Sequence, residues 1–408
     1  MGDIFTALSD LISGLLTGLG LDSASAQLVV AFLGAFGIAN FVLLGLILNI
    51  WFERKISGRI QDRIGPNRLG WWGLLQTFAD LGKLLTKEII TPDGADVIPF
   101  MIAPIIATLS VIMIWAVLPW TSLTIGSDLG VGALYMVAVG SFGILAVLLA
   151  GWSSNNKYAL LGAFRGVAML VSYEVPMILT LMVPVLLAGT MQIGKIVEAQ
   201  QVWYVFSMPL AALIFSIAMT AEVGRPPFDL LEAESEIVAG YHIEYGGFAF
   251  AMFYAAEWAH AFTMSAMIAV LFLGGWRGPG AEMYPTLGLV YFLLKTYLMY
   301  FLNVWVRFTV PRLRIDQTMA FCWKFLIPLS LMLLVATVLA DKIAAGLIAN
   351  YLSTESILAM LPRSIVLLGV NIGVGALAVW WISLVGRQER KRQEAAVRRA
   401  PARSRAAS

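Results

Sequence analysis

The apolar positions of this chain fall into long unbroken runs separated by short polar segments. They show neither the strict alternation of a half-buried strand nor the narrow stripe of a soluble surface helix. A bilayer core takes about 20 apolar helical residues. Nine runs approach or exceed that measure: 28–52, 98–120, 131–152, 163–188, 202–221, 247–275, 286–306, 325–340 and 364–386, with 325–340 the shortest. Two weaker segments, 4–21 and 343–361, look amphipathic and are expected at an interface. The pattern predicts an all-α polytopic membrane protein with about nine transmembrane helices. It divides the chain into an N-terminal interfacial segment (1–27), a membrane domain (28–386) and a basic tail (387–408).

Composition supports this class, since 60% of the residues are hydrophobic and only 13% charged, more apolar sequence than a soluble core needs. Charge matters through its placement. If the tail is cytoplasmic, 22 Lys and Arg lie on its side, against four on the other (Lys195, Arg277, Lys342 and Arg363), with Lys295 inside a run. The positive-inside bias then predicts an outside N-terminus and a cytoplasmic C-terminus. The tail, from Arg387 through Arg405, reads as a topology anchor near anionic lipid. Met1-Gly2-Asp3 lacks a basic n-region, so no cleaved secretory signal is expected. The longest loop on the cytoplasmic side, 53–97, is too short for an ordinary soluble domain. Function must lie in the membrane, at its cytoplasmic face or in partner chains.

Two candidate chemistries drop out. A single cysteine, Cys322, excludes an internal disulfide and an all-cysteine iron–sulfur cluster held by this chain alone. With only His242 and His260, a histidine-rich metal site is not expected, and no metal is assigned. There is no Walker loop, dinucleotide glycine fingerprint or Cys-Xaa-Xaa-Cys pair, and no nucleic-acid partner is expected.

The candidate chemistry lies where charge enters apolar sequence. Residues 222–257 carry seven carboxylates: Glu222, Asp229, Glu232, Glu234, Glu236, Glu244 and Glu257. Ionisable groups at membrane depth are costly and mark proton or ion paths. Asp229, Glu232 and Glu236 would share one face if their segment were helical, and clustered like charges couple their titrations. Glu257 and His260 are three residues apart and share a helix face, although a lone histidine there is more often core. Glu174 sits mid-run beside Pro176, which frees an upstream carbonyl for water or a side chain. Glu53-Arg54-Lys55 opens a loop that continues through Arg63 and the Gly65-Pro66-Asn67 turn. There Arg54 and Arg63 either anchor a helix end or line the mouth of a site for a polar head on a long apolar tail. An amphipathic helix over 73–88 should follow along the cytoplasmic membrane surface. Around Arg307, Arg312, Arg314, Asp316 and Gln317 a fixed ionic network competes with simple positive-inside topology. Lys295 is a plausible internal partner for a carboxylate.

These motifs together resemble the quinone-site membrane subunit of respiratory complex I, the proton-pumping NADH:quinone oxidoreductases, from about residue 28 to 340. The likeness rests on Glu53-Arg54-Lys55, Gln61 with Arg63 and Gly65-Pro66-Asn67, and the stretch from Lys83 to Lys87-Glu88. It rests also on Ser172-Tyr173-Glu174-Val175, Arg225 to Glu234, Glu244-Tyr245, Phe272 to Trp276, and Pro311 to Gln317. The resemblance implies that Arg54, Arg63, Phe228, Tyr254 and Arg307 line a quinone tunnel. It implies that Glu174, Glu222, Asp229, Glu232, Glu234 and Glu257 form a proton path. Quinone would be the substrate, with no cofactor held by this chain. FMN and iron–sulfur clusters would belong to partner subunits, in a hetero-oligomer with peripheral-arm iron–sulfur and quinone-site subunits and with small and antiporter-like membrane-arm subunits. The expected location is the bacterial inner membrane. Met169, Gly224, Trp258 and His260 depart from the residues usual in that family. Related subunits of membrane-bound hydrogenases and other donor-linked dehydrogenases share the acidic loop but tend to lack the full quinone-mouth signature. A stand-alone cation/proton transporter would show an internal repeat, and no convincing one is found.

Overall fold

The computed structural model describes residues 4–231, 234–349 and 357–399. Its helices in chain order are α1 (Ile4–Gly18), α2 (Ser23–Ile60), α3 (Gln76–Thr86), α4 (Val97–Ile114), α5 (Gly132–Ser153), α6 (Lys157–Ala188), α7 (Ile193–Ala199) and α8 (Tyr204–Ser207). They continue with α9 (Pro209–Glu222), α10 (Glu234–Ile237), α11 (Gly247–Phe272), α12 (Pro285–Thr309), α13 (Ile315–Phe321), α14 (Ile327–Ala349) and α15 (Ile357–Arg399). One π-helical turn, Cys322–Leu326, joins α13 to α14. The all-α membrane class read from the sequence holds.

Among the described residues, eight helices are long and apolar enough to cross a membrane. The run expected at 202–221 differs from the others. It breaks at Met208 into α8 and the short apolar α9. Proline favours the first turn of a helix and restricts the residue before it, so Pro209 starts a new helix. The run at 325–340, the shortest in sequence, belongs instead to a 32-residue apolar helical stretch, Ile315–Gly346. Segment 343–361 is helical to Ala349; residues 350–356 lie outside the described ones.

α11 is the central helix. In its most apolar window 78% of residues are buried, against 11% for α2. Its inner half, Ala259 to Phe272, is rich in Ala, Ser and Thr, small residues that let neighbouring backbones approach without leaving voids. α4, α12 and α2 pack against it, α5 packs on α4, and α6 and α9 pack on each other and also touch α11. α15 packs on α14 and reaches α8 and α9.

The first span is longer than its apolar run. α2 continues through Glu53, Arg54 and Lys55 to Ile60. Its buried face, Val42, Leu46, Asn49, Glu53 and Ser57, has helical spacing. Glu53 is therefore turned into the protein rather than toward headgroups. The surface helix lies at α3, its N-terminal side preceded by a 3-10 turn at Trp71–Gly73.

Candidate functional site

The site begins with a turn. After α9 ends at Glu222, Gly224 takes φ +71°, a left-handed conformation, and an added Cβ there would lie 2.3 Å from Leu231 Cδ1. Glycine meets both demands; an asparagine would meet only the first easily. The Arg225 amide then donates to Thr220 O (3.3 Å) and the Phe228 amide to Arg225 O (2.9 Å). The Leu313 amide donates to Pro227 O at 3.0 Å, tying the loop to the segment after α12. The outcome is an arginine turned inward and only 1% exposed.

Arg225 meets Glu53, itself 2% exposed, at 3.1 Å. Glu53 also pairs with Arg307 of α12 and accepts a hydrogen bond from the Tyr300 hydroxyl at 2.9 Å. Arg225 Nε lies 3.7 Å from Glu257 of α11. The Trp258 ring faces both guanidinium groups, at 5.4 Å from Arg225 and 5.9 Å from Arg307, near enough for cation–π attraction. Two arginines thus face two carboxylates, Glu53 and Glu257, in one cluster. Buried ions survive only when paired in this way. Burial works against the charge on Arg225, but Glu53, Tyr300 and Glu257 outweigh it and hold the guanidinium protonated.

Glu257 also borders a narrow cavity of about 80 Å³, with Glu222, His260, Ser110 and Tyr241 among its polar lining. That volume has room for several waters. Gly140 and Gly143 of α5 form part of its wall. Glu222 Oε2 is buried with no hydrogen-bond partner among the described residues. Farther along, Glu174 interacts electrostatically with Glu222 and accepts a hydrogen bond from Ser141 Oγ at 2.6 Å. The acids therefore run in order: Glu53, Glu257, the cavity, Glu222, Glu174. Carboxyl and imidazole groups that reach into a mainly apolar cavity can pass a proton or a charge change across it.

The other expected residues fall as follows. Arg54 pairs with Asp80 of α3, and Gln76 also bonds Asp80, at 3.3 Å; this pins the surface helix to α2. Arg63 is exposed and bonds Gln61 at 2.7 Å. Tyr254 is exposed on α11, beside Phe250 (4.6 Å) and His242 (6.3 Å). Phe228 is buried against Tyr173 at 5.0 Å, inside the loop's packing. Asp229 is half-buried and interacts electrostatically with Glu257. Glu232 lies outside the described residues, and of Glu234 only the backbone, in α10, is described. Residues 229–231 are not helical, so the face proposed for Asp229, Glu232 and Glu236 does not form there. Glu236 instead pairs with Arg165 and Arg312 (3.2 Å). The hydrogen bond from Arg165, helped by both positive charges, holds its carboxyl below the usual range.

Among the described residues, Lys295 meets no carboxylate. Its Nζ donates to Gly275 O (2.9 Å) and Arg277 O (2.7 Å) and lies 4.4 Å from the Trp203 ring. A carbonyl pair at the end of α11 satisfies the ammonium instead. Three central residues were given no site role by the sequence reading: Glu53, Arg225 and Tyr300. Glu53 and Arg225 had a signal. One is an acid at helical spacing from an apolar face, the other the single Lys or Arg among the seven acids. Tyr300 had none.

A family model described as "NADH dehydrogenase" matches residues 33–338. The chain is 44% identical over 335 residues to the H subunit of the NADH-quinone oxidoreductase of Dehalococcoides mccartyi (strain CBDB1), covering 82% of this chain and 89% of that protein. It is 48% identical to the corresponding protein of Brevibacillus brevis, over 76% of this chain and 95% of the relative. With the Geobacillus kaustophilus protein the figures are 49%, 75% and 92%.

Proposed function

The chain belongs to the NADH dehydrogenase family, among relatives named as the H subunit of NADH-quinone oxidoreductase, and on that premise we propose that it forms the quinone-binding part of a proton-translocating NADH:quinone oxidoreductase. It is a multi-pass membrane protein. As a subunit it works within a hetero-oligomer, in which peripheral iron–sulfur subunits with FMN supply electrons and antiporter-like membrane subunits move protons. The proposed setting is a bacterial inner membrane, with the N-terminus outside and the tail cytoplasmic.

One observation carries the reading. The buried Glu53–Arg225–Arg307 cluster joins α2, the acidic loop and α12, and reaches through Glu257 to the Glu222 cavity. Quinone reduction to quinol takes two electrons and two protons. Those protons must reach an apolar substrate from charged groups held nearby. Arg54, Arg63, Tyr254 and Arg307 would border the quinone's path from the cytoplasmic side, with Phe228 stiffening the loop wall. Asp229, Glu232, Glu234, Glu257, Glu222 and Glu174 would carry the charge change inward. A cluster of paired charges is suited to this, because removing or adding one proton changes its electrostatics in a medium that screens poorly.

The test is a pull-down of the tagged chain from gently solubilised membranes, assayed for inhibitor-sensitive NADH:quinone reduction. Co-purifying iron–sulfur subunits with that activity are expected. A nickel–iron hydrogenase among the partners would move the chain to the hydrogenase-linked relatives. Proton movement by the chain alone would make it a transporter.

A further inference from the structure

Two buried asparagines interrupt the apolar seam between α2 and α12. Asn49 is 1% exposed and Asn303 5%. Asn49 stands one turn before Glu53 on the buried face of α2. Asn303 stands three residues after Tyr300 and four before Arg307 on α12. Residues three and four apart share a helix face, so both carboxamides border the ion cluster. Their neighbours along the seam are apolar: Val42 and Leu46 on α2, Phe292 and Val304 on α12.

Asn49 Oδ1, Asn303 Oδ1 and Asn303 Nδ2 have no hydrogen-bond partner among the described residues. Of the Arg225 guanidinium nitrogens, Nη1 and Nε make ion-pair contacts without hydrogen-bond geometry, and Nη2 has no hydrogen-bond partner among the described residues. The cluster region thus presents four donor atoms and two acceptors with open valences. A buried polar group left unpaired costs about 1–3 kcal/mol, and a set of this size does not persist on packing alone. Water both donates and accepts, and buried water commonly bonds groups left unpaired by the protein.

We propose that Asn49 and Asn303 build a buried water-binding site on the α2–α12 seam that hydrates the Glu53–Arg225–Tyr300 cluster. The two are positioning residues that keep the cluster's donors and acceptors saturated. The inference rests on the functional reading above only for its consequence in turnover, not for the site itself.

The test uses the assembled, solubilised complex and hydroxyl-radical footprinting, which labels side chains beside bound water. Tyr300 is fully buried, so labelling from bulk solvent is excluded. Asn303→Leu and Asn49→Leu keep side-chain size while removing the polar group, and Asn303→Thr returns a hydroxyl. Strong Tyr300 labelling in the unmodified complex, a several-fold fall in the leucine variants and recovery in the threonine variant are expected. A slower, pH-shifted quinone reduction should accompany the fall. Tyr300 that is unlabelled at the start, or equally labelled in Asn303→Leu, overturns the site. A fall in labelling with unchanged quinone reduction upholds the water site and instead removes the cluster from turnover.

Discussion

Glu53 and Arg225 lie 3.1 Å apart with almost no exposure: the first long helix and the acidic loop meet in one buried ion pair. Arg307 shares the same carboxylate. Removing one partner of a buried pair typically costs about 3–5 kcal/mol, because the other charge is left uncompensated. Glu53→Gln and Arg225→Met should each lower the thermal midpoint of the purified complex and its yield. The double variant should lose clearly less than the sum, the mark of coupled residues in a double-mutant cycle. Strict additivity would mean the two side chains do not interact.

Glu222 lines the cavity between Glu257 and Glu174. In Glu222→Gln, shape is kept and the titrating proton lost. Protons translocated per quinone reduced, read with a pH dye in proteoliposomes, should fall while quinone reduction retains part of its rate. An unchanged ratio would take Glu222 out of the path. Glu234→Gln gives the same comparison for the acidic loop; quinone reduction and pumping both intact would remove Glu234 from the relay.

Gly224 carries a left-handed φ and a Cβ position blocked by Leu231. Gly224→Ala should destabilise by about 1–3 kcal/mol, combining conformational strain with the clash. Relieving the clash with Leu231→Ala in the same chain should return only part of the loss, since the backbone term remains. Chemical denaturation or a thermal shift measures both.

Burial pushes the His242 imidazole down to about 4, against about 6.5 in an unfolded chain. Between those values the unfolded chain binds a proton that the folded protein refuses. Stability from the neutral histidine is therefore complete above about pH 6.5 and is lost as pH falls toward 4, by an amount on the order of 3 kcal/mol. His242→Phe should flatten the decline of the melting temperature between pH 7 and pH 4.5. An equally steep decline in the variant would assign the acid sensitivity to other groups.

Runs of apolar residues determined the helical membrane class by themselves, because a bilayer leaves a chain few other ways to satisfy its backbone. Single residues determined local breaks: Pro209 divides α8 from α9, and Gly224 sets the turn into the acidic loop. The acids of 222–257 were legible as a group because charge in apolar sequence is rare. Their arrangement was not. Only the fold turned Glu53 inward, set Tyr300 and Arg307 around it, gave Glu236 to two arginines and left Lys295 to backbone carbonyls. Hydropathy and spacing are properties of one segment at a time. An ion pair depends on which helices become neighbours, and that is decided only by tertiary packing.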